Sequence, residues 1–531
     1  MIKTPAMLFL KGILMTSLIV LGSLTITSCF VQRQGTLRYT HKQVIRSSGE
    51  LPYYAAWSRH GGWTGDNYYR SVWANGSAVY CTGAGGGDLV LVRYSENGTR
   101  IWNRTWGGPS SDSGMEVYGA GDVVFTCGTT ASFGTGGVDS RTDMVLVKWD
   151  GNGNQIWNRT WGRSISDDFG QAIWANATAI FTLVYTTTYE VGGSDLVLVG
   201  WDHAGNQTWN RTLGGGGGTD IWGDGVNIFT CGGSLLIKWS GAGGQIWNHT
   251  FNPPGGEAFN GIWGADGHVY TAGNTDEGML LVKWNATSGA QVWNRTGVYM
   301  PNVNFFSVTG DGSGSLYTFG LNYIDSALVL AKWNVDGNCT WSRLKDAGSL
   351  YIIGLGVTFD GTHIYSCGYY QRYWPGGLDA LLIKWAPNTV PSITAPADLD
   401  YTFGTSGNAI TWIVNDTSVE TPAYQVFRNG TLDKADTWAN SVPIVVNVDS
   451  LAVGSCNCTI DVSDGAGGMA TDTVIVTVSF PTTLVITIAA SAGAGCLIVA
   501  SIAIKRKKQR NPKISPAPMT GIPPPPQLPS S

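Results

Sequence analysis

The chain has 531 residues, 32 basic and 37 acidic, with only 13% charged positions but 73 glycines and 23 tryptophans. That length holds more than one core, and so much Gly and Trp beside few helix formers favours many short strands joined by tight turns. Six histidines and the lack of a dense acidic run leave little material for a metal or phosphate site.

In chain order, residues 1–29 carry Lys3 and Lys11 before an apolar stretch, the pattern of a signal peptide. Cleavage is expected within 27–34. "ITSC" (26–29) also fits a bacterial-type lipobox, with lipidation of Cys29 as the alternative. A linker, 30–51, follows.

From 52 to 388 one phrase returns. "LVKWDGNGNQIWNRTWGR" (146–163) has near copies at 91–108 and 198–215. The "WNRT" half starts at Trp57, Trp102, Trp157, Trp209, Trp247, Trp293 and Trp341. The "LVKW" half ends at Tyr94, Trp149, Trp201, Trp239, Trp284, Trp333 and Trp385. Seven copies of about 47 residues suit four-stranded blades. Pairs such as "EVYGAGDVVFTCG" (116–128) supply the two inner strands as a hairpin. The phase is offset: the chain enters on an outer strand at Trp57 and leaves on a third strand at Trp385. The first strand is therefore expected to complete the last blade and close a seven-bladed β-propeller. The large rings suit the wedge-shaped gaps between twisted sheets.

The pattern "D-x-x-L-V-K-W-D-x-x-G-N-x-x-W-N-R-T-W-G-G" resembles the secreted prokaryotic, archaeal-type β-propeller repeats, and more distantly the quinoprotein-type tryptophan-docking repeats. The resemblance implies the fold and not an activity, because propellers host unrelated chemistries.

After Pro391 the repeat gives way to alternating strands of roughly immunoglobulin length (389–480), which resemble the Ig-like, cadherin- or PKD-like modules of surface proteins. The segment is read as a stalk. Leu484–Ile504 is 21 uncharged residues, enough to cross a bilayer. "KRKKQR" (505–510) follows, so the span is expected to leave the tail in the cytoplasm. In the tail 505–531, Pro523, Pro524, Pro525, Pro526 and Pro529 offer a polyproline II surface to a Pro-rich-motif reader.

Setting aside the eight Lys and Arg of the two ends leaves 24 basic against 37 acidic residues, which argues against nucleic acid as a partner. Fourteen N-x-S/T triplets lie between the hydrophobic ends, among them Asn75, Asn415 and Asn429. Five recur in the outer strand at Asn103, Asn158, Asn210, Asn248 and Asn294, where alternation turns Asn and Thr away from the Trp face. A girdle of glycans around the rim is the expectation.

Other candidates take structural readings. Cys127, Cys231 and Cys367 fill one slot of the second strand and are read as core. Cys456 and Cys458 share a face, but a disulfide across two residues is strained. "DGNGN" (150–154) lacks the Gly and Glu of a calcium loop and reads as a hairpin turn. Asp461, Asp464 and Asp472 of the stalk are read as turn caps, with calcium as the alternative. The basic slot Arg93, Lys148, Lys238, Lys283, Lys332 and Lys384 is expected to lay its stems over Trp rings and point its charges at water. His60, His203, His249, His268 and His363 are scattered without metal spacing. No catalytic motif and no acidic cluster at the inner-strand ends is visible, and no cofactor is expected. The leading reading is a surface binding, adhesion or envelope protein on a membrane-anchored stalk, with a glycan or protein ligand. The alternative is an ectoenzyme using the propeller's funnel, quinoprotein-like or glycan-cleaving.

Overall fold

Alternating apolar residues and glycine turns fold the chain into strands. A computed structural model describes residues 51, 53–61, 66–134, 141–163, 166–188, 194–214, 216–251, 257–297, 299–345, 351–371 and 377–481, all of whose regular structure is β. The expected signal peptide, the span 484–504 and the Pro-rich tail lie outside the described residues. No helix among the described residues is long and apolar enough to cross a membrane.

Seven four-stranded antiparallel sheets share one plan. In the first, the inner, second, third and outer strands are Asn67–Ala74, Ala78–Gly85, Asp88–Ser95 and Arg100–Trp106. Further sheets begin at Asp112, Ser166, Asp220, Glu257 and Val303. The seventh is built from Tyr351–Phe359, Ile364–Gln371 and Leu378–Ala386, and its outer strand is Tyr54–Gly61 from the start of the chain. Tyr54 pairs with Ala386 and Gly61 with Ala380. The closure inferred from the offset phase is thus a hydrogen-bonded ladder.

The apolar core lies between sheets. Leu89 and Leu91 of the first pack with Val145, Val147 and Trp149 of the second. Corresponding clusters join second to third, third to fourth and so on around. The last joins Tyr365 and Leu382 of the seventh sheet to Val90 and Val92 of the first. The sheets therefore form a closed ring, a β-propeller. In each of the second to seventh sheets the third-strand Trp is buried and donates to a hydroxyl of its own second strand, as Trp149 Nε1 does to Thr126 Oγ1 at 3.0 Å and Trp385 Nε1 to Ser366 Oγ at 2.8 Å.

The repeated "WNRT" is a clamp between sheets. The Arg159 guanidinium lies 5.2 Å from the Trp157 ring centre and donates from Nε to Gly205 O (2.8 Å) and from Nη2 to Ala204 O (2.9 Å), both in the outer turn of the next sheet. Its Nη1 donates to Asn158 O. Arg59, Arg104, Arg211 and Arg295 repeat the arrangement. The gripped turn must be glycine: Gly153 has φ +82°, and a Cβ there would stand 3.0 Å from Arg104 Nε.

The basic slot is a second clamp, which corrects the expectation that its charges face water. Lys148 lies over Phe125 and Trp157, but its Nζ donates to His203 O in the next sheet. Lys238 Nζ reaches Ala286 O, Lys283 Nζ Val335 O, and Arg93 Nη1 Gly151 O. Turn carbonyls compete with water here because the outer hairpin of the next sheet lies over the ammonium group. Burial lowers the Lys283 pKa accordingly.

Residues 392–479 form a three-stranded and a five-stranded sheet around one core, in which Trp412 and Val414 of the first face Val426, Ile460 and Val476 of the second. Asp464 caps a turn, with Oδ1 accepting from the N–H groups of Ala466, Gly467 and Gly468. Asp472 does not cap a turn; its Oδ2 accepts from Trp412 Nε1 at 2.7 Å, because alternation aims it at the indole. The sandwich is fastened to the propeller through Glu420. Its Oε1 accepts from Ala55 N at 3.0 Å, and its Oε2 from Arg343 Nη2.

Candidate functional site at the central channel

The inner strands of all seven sheets line one central cavity of about 160 Å³. In six of the sheets a bulge interrupts the inner pairing, as between Tyr69 and Ser71 or between Gly114 and Glu116. The residue just after the bulge occupies an equivalent slot: Ser71, Glu116, Ala172, Gly261, Ser307 and Gly356. Asp220, the first residue of its own unbulged strand, takes this slot in the fourth sheet.

Polar members of the slot reach sideways. Glu116 Oε2 accepts from Ile173 N, and Asp220 Oδ2 from Ile262 N at 2.8 Å. Ser71 Oγ and Ser307 Oγ accept from Val117 N and Val357 N in the same way. Each satisfies a backbone donor that the bulged inner edge leaves over. Two residues beyond the slot, Trp73, Tyr118, Trp174, Trp222 and Trp263 form an aromatic belt along the cavity. Trp73 rests on Gly119 of the next sheet, and Trp222 on Gly264, where a Cβ would collide with the ring.

Two carboxyls facing one narrow cavity disfavour each other's ionisation. Burial pushes Glu116 well above the usual carboxylate range, and the Asp220 charge pushes it further. Burial raises Asp220 to about 7, against the pull of the Ile262 and Ile221 N–H groups. Near neutral pH the pair therefore retains a proton. The sequence showed no cluster of Asp, Glu, Arg or His at the inner-strand ends; Glu116 and Asp220 are 104 positions apart, and only closure of the ring sets these two carboxyls around one cavity. The available signal was the slot itself, which is Ser, Ala or Gly in the other five copies.

The sequence candidates fall elsewhere. Asn210 and Asn248 are exposed on the outer strands, and Asn103, Asn158 and Asn294 are half-exposed. Asn75 is exposed but its Oδ1 accepts from Ser77 N and Ala78 N in a tight turn. Asn415 Oδ1 accepts from Ser441 Oγ, and Asn429, at φ +48°, from Asn457 N. Cys127, Cys231 and Cys367 are buried between sheets and, like Cys456 and Cys458, are free thiols. His203 meets Asn176 O, and His363 sits beside Asp360 and Glu96. Among the described residues no three His, Cys, Asp or Glu gather as a metal set.

No protein-family model matches the chain, and no curated protein does. Among solved structures it is similar to the WD40 domain of Neurospora crassa Pan2, at 9% identity and TM-score 0.45, covering 65% of this chain and 99% of that one. It is also similar to the polysaccharide lyase Uly1, at 9% identity and TM-score 0.41 over 66% of this chain and all of that one. The extracellular domain of a putative hybrid two-component system from B. thetaiotaomicron matches at 11% identity and TM-score 0.39, over 78% of this chain but 56% of that domain. The fold assignment rests on the strand pairing itself.

Proposed function

We propose that the protein is a cell-surface binding or envelope-structural protein that presents a seven-bladed propeller, one blade per sheet, on an Ig-like stalk. In this reading the leader exports the chain, the segment 484–504 anchors it, and the Pro-rich tail meets a cytoplasmic partner. The observation that carries the reading is the junction at Glu420, which binds both the closing strand and Arg343. A stalk joined to the ring at two points holds the propeller in a defined orientation, as presentation of a binding face requires. The ligand class is a surface glycan or protein. Binding of the purified ectodomain to glycan and envelope-protein panels tests the reading; specific, saturable capture supports it, and none on either panel overturns it.

The carboxyl pair of the channel favours a second reading, an ectoenzyme acting on polysaccharide by general acid–base chemistry. Against it, both carboxylates already hold backbone amides. Release of new sugar ends, abolished by Glu116→Gln or Asp220→Asn, would establish it over the first.

A further inference from the structure

A pocket of about 140 Å³ lies between the fifth and sixth sheets. Trp263, His268, Tyr270 and Lys283 of the fifth sheet line it, with Gly314 and Leu316 of the sixth. Trp263 also lines the central cavity. The local sequence makes the space. The turn between the inner and second strands of the sixth sheet takes five residues, 311–315, where the other sheets use two to four. Gly314, at φ +112°, adds no side chain, and a Cβ there would stand 2.8 Å from Val335 Cγ1.

Three polar groups of the pocket have bonding capacity left. The Tyr270 side chain is 5% exposed, and its hydroxyl has no hydrogen-bond partner among the described residues. Burial and then the Asp266 charge push its pKa up to about 12, so it stays a donor. A buried hydroxyl without an acceptor is costly unless the pocket supplies one. The Lys283 ammonium, 9% exposed, has three N–H groups, and its one acceptor among the described residues is Val335 O at 3.3 Å. The equivalent Lys238 holds its carbonyl at 2.8 Å. His268 donates from Nδ1 to Asp266 O at 2.8 Å, which leaves Nε2 of the neutral ring as an acceptor.

The other sheets supply an internal comparison. Phe125, Phe181 and Phe229 occupy the Tyr270 position in three of them and are equally buried, so the fold does not need the hydroxyl there. Pockets for drug-sized ligands hold about 300–1,000 Å³, so the occupant here is a single small ring. A pyranose meets each feature. Its oxygens accept from Tyr270 and Lys283, one of its hydroxyls donates to His268, and its C–H surface suits the aromatic wall of Trp263 and Tyr270, whose ring centres are 6.0 Å apart. The Asp266 and Asp336 charges offset part of the burial effect on Lys283. The ammonium is therefore already partly balanced, and the sugar it takes is neutral rather than acidic.

We propose that this pocket binds one neutral pyranose unit of a glycan, held by Tyr270, Lys283 and His268 beside Trp263. The inference rests on the surface-binding reading and gives its glycan ligand a site.

The test is an array of immobilised glycans ending in neutral hexoses, N-acetylhexosamines or uronic acids, probed with the detergent-solubilised full chain. The expected result is saturable capture by neutral ends, about tenfold weaker in Tyr270→Phe and in His268→Ala. Capture is kept in Tyr80→Phe, which removes the equivalent hydroxyl from the first sheet. Tyr270→Phe melts with the wild type, since three sheets carry Phe at that position. Glycan capture unchanged in both pocket variants, or lost equally in Tyr80→Phe, overturns the pocket and leaves the surface-binding reading standing. Capture on envelope proteins alone does the same. Capture of uronic acid ends alone overturns the neutral sugar. No capture on glycans or envelope proteins overturns the pocket and the reading together.

Discussion

Arg343 Nη2 and Glu420 Oε2 meet at 2.5 Å, joining the sixth sheet of the propeller to the sandwich. Arg343 is the clamp arginine of its repeat, but its grip differs; in the fourth sheet the slot is His249 instead. The arginines at five other positions hold the outer turn of the next sheet. The seventh sheet has no such turn, because its outer strand comes from the start of the chain and its third strand runs on into the sandwich. The guanidinium therefore takes Glu420 and the carbonyl of Ala466 instead, at 2.8 Å from Nη1.

Breaking this pair leaves the half-buried Glu420 carboxylate without its cation, held only by Ala55 N. Arg343→Ala is expected to cost about 3 kcal/mol and to release the sandwich from the ring. Limited proteolysis should then cut between Ala386 and Ser392, where the wild type resists.

The clamp within the ring is tested at Arg159. Arg159→Ala removes three charge-assisted hydrogen bonds and a ring contact, and should destabilise by about 2 kcal/mol in urea unfolding. Arg159→Lys should recover little of this, since a single ammonium cannot span Gly205 O and Ala204 O while covering Trp157.

Two glycines separate backbone strain from close approach. Gly121 has φ +61° with nothing within 4 Å of a Cβ, so Gly121→Ala should cost about 1 kcal/mol. Gly153→Ala adds tight contacts with Arg104 and Trp102, which must give by a few tenths of an ångström, and should cost more. Equal losses in a denaturant titration would show that the turn is not gripped.

The channel pair predicts a pH dependence. Asp220 is raised from its usual 3.8 to about 7, so between those values the folded chain holds a proton that the unfolded chain has lost. The Asp220 contribution to stability therefore falls as pH rises from about 4 to about 7 and levels off above, and Glu116, raised further, extends the fall. Asp220→Asn should flatten this slope in melts across that range, and an unchanged slope would refute the assignment.

Outer-strand glycosylation makes the last prediction. Glycopeptide mapping of native protein should find Asn103, Asn158, Asn210, Asn248 and Asn294 occupied at most positions. Unmodified peptides at all five would end the girdle.

The sequence by itself determined the repeat, its four-strand unit and the offset that sends Tyr54–Gly61 to the last sheet. Those features are local: period-two alternation, glycine turns and a Trp at a fixed place in each copy. It also determined that Trp157 and Arg159 share a face, since alternation along a strand needs no knowledge of neighbours. Only the tertiary structure decided what that face grips. The clamp acceptors are backbone carbonyls, which every residue has, so no letter in the turn marks them. The lysines of the third strand likewise reach partners that no letter marks, the carbonyls of another sheet. Glu116 with Asp220 acquires meaning only when the ring closes. A carboxylate's chemistry is set by the charge and dielectric around it, and those come from residues distant in the chain.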